Sequence, residues 1–296
     1  MKRFARLLLI ACCCWPWGAA QPAPQAAGPA TPEVQTTDRA FVEALAKSDK
    51  AAVGMVLDTE FSWTRADGRL LSRAQAQSEM PKPPLGRETD VEVMRTNYGD
   101  VETIRVHAGR TYLLRIWVKR PEAWRLIAYH EVVQAPPASA QGAASAPANP
   151  PSECNNPCKS VPYQPETEMD AAIIHTWQAH IVSEWNRSVD DWPYAIADEF
   201  YSLNSGGSGP TNKATGLAGM RRAQEAHSGP AIPAELIAAQ MFDFGPTAVM
   251  IAVNKTGATY AQATRVWVQR GDHWQMALSY QTRMAGPRTS LLPKSK

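Results

Sequence analysis

Tyr129-His130-Glu131 is the stretch of this 296-residue sequence best suited to moving a proton. A histidine near its ordinary pKa of about 6.5 gives or takes a proton at neutral pH, so His130 in a pocket would serve as base or acid. The competing expectation is a histidine that hydrogen-bonds across a sheet or sits at a pocket mouth. Glu131 cannot easily share that pocket, because successive strand residues point to opposite faces. Tyr280 can donate a hydrogen bond to a bound carbonyl, with Trp177 and Trp274 as an apolar wall. Aromatic side chains at helical and strand spacing are more often core.

Other chemistries find less support. His175 and His180 are five apart, not the four that would set two metal ligands on one helix face. No HExxH, cysteine-rich box or EF-hand loop occurs, so neither a metal nor a cofactor is expected. "GGSGPTNKAT" (206–215) departs from a phosphate-binding loop at Asn212, where glycine should precede Lys213. It reads as a flexible loop. Asp58, Glu60, Asp198 and Glu199 fall where helices give way to strands and read as caps. Arg221 and Arg222 would meet an anionic ligand at a pocket rim, or form an ordinary solvated helix face.

The elements that must position these residues begin after residue 20. Lys2, Arg3 and Arg6, then an apolar run from Leu7 to Trp17, then Gly18-Ala19-Ala20 read as a cleavable signal peptide. The alternative is a lipoprotein box ending at Cys12, which would carry a lipid anchor. Export to the periplasm or outside the cell follows from either, without a transmembrane anchor, since a span needs about 20 apolar residues. Residues 1–20 hold three of the 30 basic side chains and none of the 28 acidic ones, leaving 27 against 28, a formal charge of −1. That balance argues against nucleic acid as a partner. Beyond residue 20 only Cys154 and Cys158 remain, in "ECNNPCKS", and an even pair in an oxidising compartment favours a disulfide.

Two Pro/Ala-rich stretches, a spacer at 21–35 and a linker at 135–165 that carries the cysteine pair, divide the chain into domains at 36–134 and 166–285, with a tail at 286–296. Each domain opens with helical patterning. Thr37 or Asp38 reads as the cap of a helix with Phe41, Val42 and Leu45 on one face, and Asp49 as the cap of a second. Ile173, Ile174, Trp177, Ile181 and Trp185 form the matching stripe downstream, followed by a short helix through Trp192. Alternation then marks strands at 91–98, 111–118 and 124–133, and at 247–254, 260–268 and 274–282. Helices followed by antiparallel strands give an α+β fold class. "RIWVKRPEAWRLIAYH" (115–130) is echoed by "RVWVQRGDHWQMALSY" (265–280), with Arg115, Trp117, Val118, Arg120 and Trp124 all repeated at an offset of 150. The last hairpin of one domain type is used twice.

Paired amphipathic helices, the "EF" steps at 60–61 and 199–200, and a closing Arg-x-Trp-Val…Trp hairpin resemble the nuclear transport factor 2-like superfamily, in its SnoaL-like and calcium/calmodulin-kinase association-domain-like branch. The resemblance implies two tandem cones, each a curved antiparallel sheet wrapped around helices with a pocket between, and "LSRAQAQSEM" (71–80) and "GLAGMRRAQ" (216–224) as the helices that close them. It places Trp124, Leu126, Ala128 and His130, and Trp274, Met276, Leu278 and Tyr280, on the pocket side of the last strands. Trp124, His130, Trp177, Trp274 and Tyr280 are thus the expected pocket, with His130 and Tyr280 as catalytic candidates. Superfamily enzymes include isomerases, cyclases and hydrolases that use a pocket carboxylate as base, and no such carboxylate can be matched here. The expected function is binding of a small apolar or amphipathic ligand by cones that pair within the chain or between chains. An isomerase, cyclase or hydrolase, and an envelope interaction module, are the alternatives.

Overall fold

The computed structural model describes residues 28, 31–86, 88–136, 153–207 and 209–286. Residues 1–20 with Cys12, most of both Pro/Ala-rich stretches and all but the first residue of the tail lie outside the described residues.

The first half opens with α1 (Pro32–Ala46) and α2 (Lys50–Val56). Asp49 caps α2 as its position suggests, accepting from Ala52 N. Helix α1 begins earlier than expected: Thr31 is its N-cap and Pro32 its first residue, a favoured pairing of cap and N1. Asp38 therefore sits inside the helix, and it is buried. Next come β1 (Leu57–Thr64), β2 (Leu70–Ser72), α3 (Arg73–Glu79) and four strands, β3 (Glu92–Asn97), β4 (Val101–Ala108), β5 (Thr111–Lys119) and β6 (Trp124–Val133). The second half repeats this order: α4 (Glu168–Trp185), a 3-10 turn at Trp192–Ala195, β7 (Ile196–Asn204), β8 (Thr211–Asn212), α5 (Lys213–Glu225), then β9 (Ala234–Asp243), β10 (Thr247–Thr256), β11 (Thr259–Arg270) and β12 (His273–Arg283). Strands β1, β2, β4, β7, β8 and β9 are additions to the six read from alternation. The expected loop at 206–215 ends as β8 and the start of α5, whose cap is Asn212.

Each half forms one six-stranded sheet, in the orders β2-β1-β6-β5-β4-β3 and β8-β7-β12-β11-β10-β9. The sheets are mixed rather than purely antiparallel. Hairpins reverse the chain at each step from β3 to β6, but β1 reaches the sheet from the helices and lies parallel to β6, as β7 does to β12. Among the described residues, no helix is long and apolar enough to cross a membrane.

A bulge sits at the same place in both closing hairpins. Ile116 pairs with Ala128 but Trp117 with Leu126, leaving Ile127 as the extra residue; Val266 pairs with Leu278 but Trp267 with Met276, leaving Ala277. One inserted residue turns every later side chain to the other face. Trp124 and Leu126 thus join the core beneath α1, and Trp274 and Met276 the core beneath α4. Beyond the bulge, Ala128 and Val132 share a third core with Leu278 and Tyr280, because the sheets pack on one another through their outer faces. The halves of the chain pair directly.

Residues 153–165, expected as linker, pack on the second half: Asn156 exchanges two hydrogen bonds with the backbone of Leu236, at 2.7 and 3.0 Å. Cys154 and Cys158 form the disulfide, with Cα atoms 5.5 Å apart, and Cys154 is buried in that core.

Candidate functional site

The bulges decide where the expected site residues lie. Strict alternation would turn His130 and Tyr280 into their cones; the inserted Ile127 and Ala277 turn both outward, to the contact between the sheets. His130 is fully buried there, its Nδ1 2.8 Å from Thr264 Oγ1 and its Nε2 3.1 Å from Thr282 Oγ1. The Thr282 hydroxyl donates to the Glu131 carbonyl, so it accepts from His130 Nε2–H, and Nδ1 accepts from Thr264. Burial, with a smaller push from Arg265, lowers the His130 pKa to about 3. A neutral histidine joining two sheets is the role this geometry gives. Tyr280 stacks on Tyr201, ring centres 6.1 Å apart, and burial raises its phenol far above the ordinary range.

Trp124 lines the core of the first cone; Trp177 and Trp274 line that of the second. Inside the first, the repeated arginine is neutralised by its own chain. Arg115 donates from Nε to Asp38 Oδ1 at 2.6 Å and from Nη2 to Oδ2 at 2.8 Å, and its Nη1 meets Glu88 at 2.6 Å. Trp117 Nε1 donates to the same Asp38 Oδ1 at 2.9 Å. Burial opposes the charge, but the two carboxylates outweigh it and hold the Arg115 guanidinium well above its ordinary pKa.

The second cone has the arginine without the acids. Arg265 is 0 % exposed, and its Nη2 donates to the amide oxygen of Asn254 at 2.8 Å. Its Nε and Nη1 have no partner among the described residues, nor do the indole N–H groups of Trp177 and Trp267. Burial lowers the Arg265 pKa to about 9, with Glu184 pulling the other way. The guanidinium lies 4.3 Å from the ring of Trp177, which with His180, Glu184, Phe200, Met220 and Met276 lines a cavity of about 240 Å³. His180 Nε2 is 3.4 Å from Glu184 Oε1, its Nδ1 is unpartnered, and burial lowers its pKa.

The remaining candidates have settled partners or face solvent. Asp58 takes two hydrogen bonds from Arg120, at 2.7 and 3.0 Å; Asp198 pairs with Lys213 at 2.8 Å and Glu199 with Arg270 at 2.7 Å. Arg221, Arg222 and His175 are exposed. No cluster of three metal-ligating side chains occurs among the described residues. Sequence reasoning passed over Arg265 although it lies in the repeated hairpin, and over the four-residue spacing of His180 and Glu184. Nothing local marks Glu88, which reaches Arg115 from a loop 27 residues away.

No family model matches the sequence, and no curated protein matches it. Solved structures do. An NTF2-like protein from Cytophaga hutchinsonii is 16% identical over 40% of this chain and 99% of its own, with a TM-score of 0.30. An NTF-2 like protein of unknown function from Silicibacter pomeroyi is 9% identical over 40% of this chain and 99% of its own, TM-score 0.33. A provisionally assigned calcium/calmodulin-dependent protein kinase type II association domain from Thiobacillus denitrificans is 19% identical over 37% of this chain and 92% of its own, TM-score 0.30. The tandem of two α+β units rests on the chain's own two sheets, and NTF2-like proteins are among the solved structures similar to it.

Proposed function

We propose that the second cone binds a small amphipathic carboxylate, its apolar body in the cavity beside Trp177 and its anionic end on Arg265. One observation carries this reading: a wholly buried guanidinium keeps two unpaired nitrogens where its repeat partner holds two carboxylates. A buried charge without an ionic partner costs several kcal/mol, which an anionic ligand would offset. The first half supplies a template, since there one carboxylate oxygen accepts from both the arginine Nε and the tryptophan Nε1 two residues on. The same two donors, Arg265 Nε and Trp267 Nε1, lack partners in the second half.

Calorimetric titration of the whole chain with hexanoate and with hexan-1-ol tests it. Hexanoate should bind, hexan-1-ol at least tenfold more weakly, and Arg265→Met should remove the difference. Equal affinity for the two, or unchanged hexanoate binding by the variant, would refute the reading.

A second reading, an isomerase, cyclase or hydrolase, draws support from His180. Glu184 would hold Nε2–H while neutral Nδ1 takes a proton from the ligand. In that case His180→Gln abolishes turnover and spares binding. The third, an envelope interaction module, has the paired sheets as its scaffold. Export itself is supported by the disulfide and by the leader-like residues 1–20. An intact mass of the protein from its native envelope would report the N-terminus, any lipid on Cys12 and the two-hydrogen loss at Cys154–Cys158.

A further inference from the structure

We propose that the cleft between the two halves, at Arg105 and Tyr201, is a second binding site, and that it takes a planar aromatic anion. The cleft holds about 470 Å³ and is walled by Met94, Arg105, His107 and Tyr112 of the first half and Tyr201 and Tyr280 of the second. Contacts between domains are a preferred place for small-molecule sites. Its rings lie as flat surfaces. His107 stacks on Tyr112 with centres 4.1 Å apart and planes 12° off parallel, and Tyr201 stacks on Tyr280 at 28°. Arg105 lays its guanidinium over Tyr201, 4.2 Å from the ring centre. Stacked rings beside a cation suit a flat π-system with a negative substituent. The nearby carboxylate, Glu92, is 89 % exposed at the rim and turned to His107 Nδ1 at 3.5 Å. Met94, 56 % exposed at the entrance, sets its Sδ against Arg105 Nη2.

The duplication provides an internal control. A related cleft lies at the opposite junction of the sheets, about 340 Å³, and contains Ser62 and Ile251. Ser62 pairs with Ala128 as Tyr201 pairs with Leu278, and Arg105 pairs with Leu114 as Ile251 pairs with Thr264. With the hairpins offset by 150, Ser62 corresponds to Tyr201 and Ile251 to Arg105. At these two matched positions one cleft has a cation and a ring where its counterpart has an isoleucine and a serine. Cementing the halves does not require them, since the counterpart closes the same junction with a serine and an isoleucine.

The test uses the whole chain carrying Arg265→Met, so that the cone does not contribute, with 2-naphthoate as the aromatic anion and cyclohexanecarboxylate as its non-aromatic control. Calorimetry should show 2-naphthoate bound at one site, and the control at least tenfold weaker. Tyr201→Ser and Arg105→Ile, each the residue already found in the counterpart cleft, should each weaken 2-naphthoate by tenfold or more while circular dichroism stays unchanged. Absence of 2-naphthoate binding, or variants that lower the melting temperature and leave affinity as it was, would overturn the proposal and make the aromatic cluster an adhesive between the halves.

Discussion

Trp177 stands in α4 where Asp38 stands in α1. Both helices end on a left-handed residue, Ser48 (φ 56) and Arg187 (φ 55); Ser48 N and Asp49 N donate to the Leu45 and Ala44 carbonyls as Arg187 N and Ser188 N donate to those of Glu184 and Ser183. Counting back from these ends makes Asp38 and Trp177 equivalent. The arginine beneath is kept in both halves, so the exchange of Asp38 for Trp177, together with the lack of a carboxylate on Arg265 in the place of Glu88, leaves a buried cation resting on an indole where the first half has a closed ion cluster.

Opposite signs of stability change follow for the same substitution in the two halves. Arg115→Met strands Asp38 and Glu88 without their cation and should cost about 3–5 kcal/mol. Arg265→Met replaces a charge that lacks a carboxylate and should be neutral or stabilising, by up to about 4 kcal/mol. Urea unfolding of both variants, without added carboxylate, measures this, and a loss of similar size in both would contradict it.

The ion pair can also be rebuilt. Trp177→Asp places a carboxylate within the reach of Arg265 that Asp38 has to Arg115, and Trp177→Asn is its uncharged match with the same lost packing. The Asp variant should be the more stable by about 1.5–3 kcal/mol, the worth of hydrogen bonds to a charged group. It should also lose hexanoate binding, because its own side chain takes the place proposed for the ligand's carboxylate.

The duplication, the helix-then-strand order and the closing hairpins were legible because Arg, Trp and Val recur at a fixed offset. Strand β4, "VETIRVHA", was not, because it buries the charged Glu102, which accepts the Thr31 amide at 3.0 Å. Strand β9, "AELIAAQMFD", has half-buried residues on both faces and so no alternation to read. The bulges escaped because Ile127 and Ala277 carry none of the glycine or proline signals that mark irregular strands. Everything about the face of His130 and Tyr280 depends on those two residues. The role of Asp38 depends on a partner 77 residues away, which a capping motif cannot report.

The Cys154–Cys158 bond closes a short loop that packs on the second core. Closing so few residues removes modest chain entropy, about 2 kcal/mol. Cys154→Ser with Cys158→Ser should lower stability by about that amount, and reductant should have no further effect on the variant. A melting temperature of the parent protein that ignores reductant would show the bond contributes nothing.

Acid should loosen the pairing of the halves through His130. Its folded pKa, about 3, lies below the roughly 6.5 of an unfolded histidine. Between those values the unfolded chain binds more protons, so stability is fully present above pH 6.5 and declines as pH falls towards 3. Buried Glu102 and Glu131, whose pKa values burial raises, contribute with the opposite sign in part of this range. The informative quantity is therefore the difference between the parent and His130→Gln, whose amide can still accept from Thr264 and donate to Thr282 without titrating. Urea unfolding across pH 7 to 4 should give a parent curve that descends more steeply than the variant's, by a few kcal/mol over the window. Parallel curves would mean that His130 is protonated in the folded protein, and that the contact between the two sheets tolerates a charge at its centre.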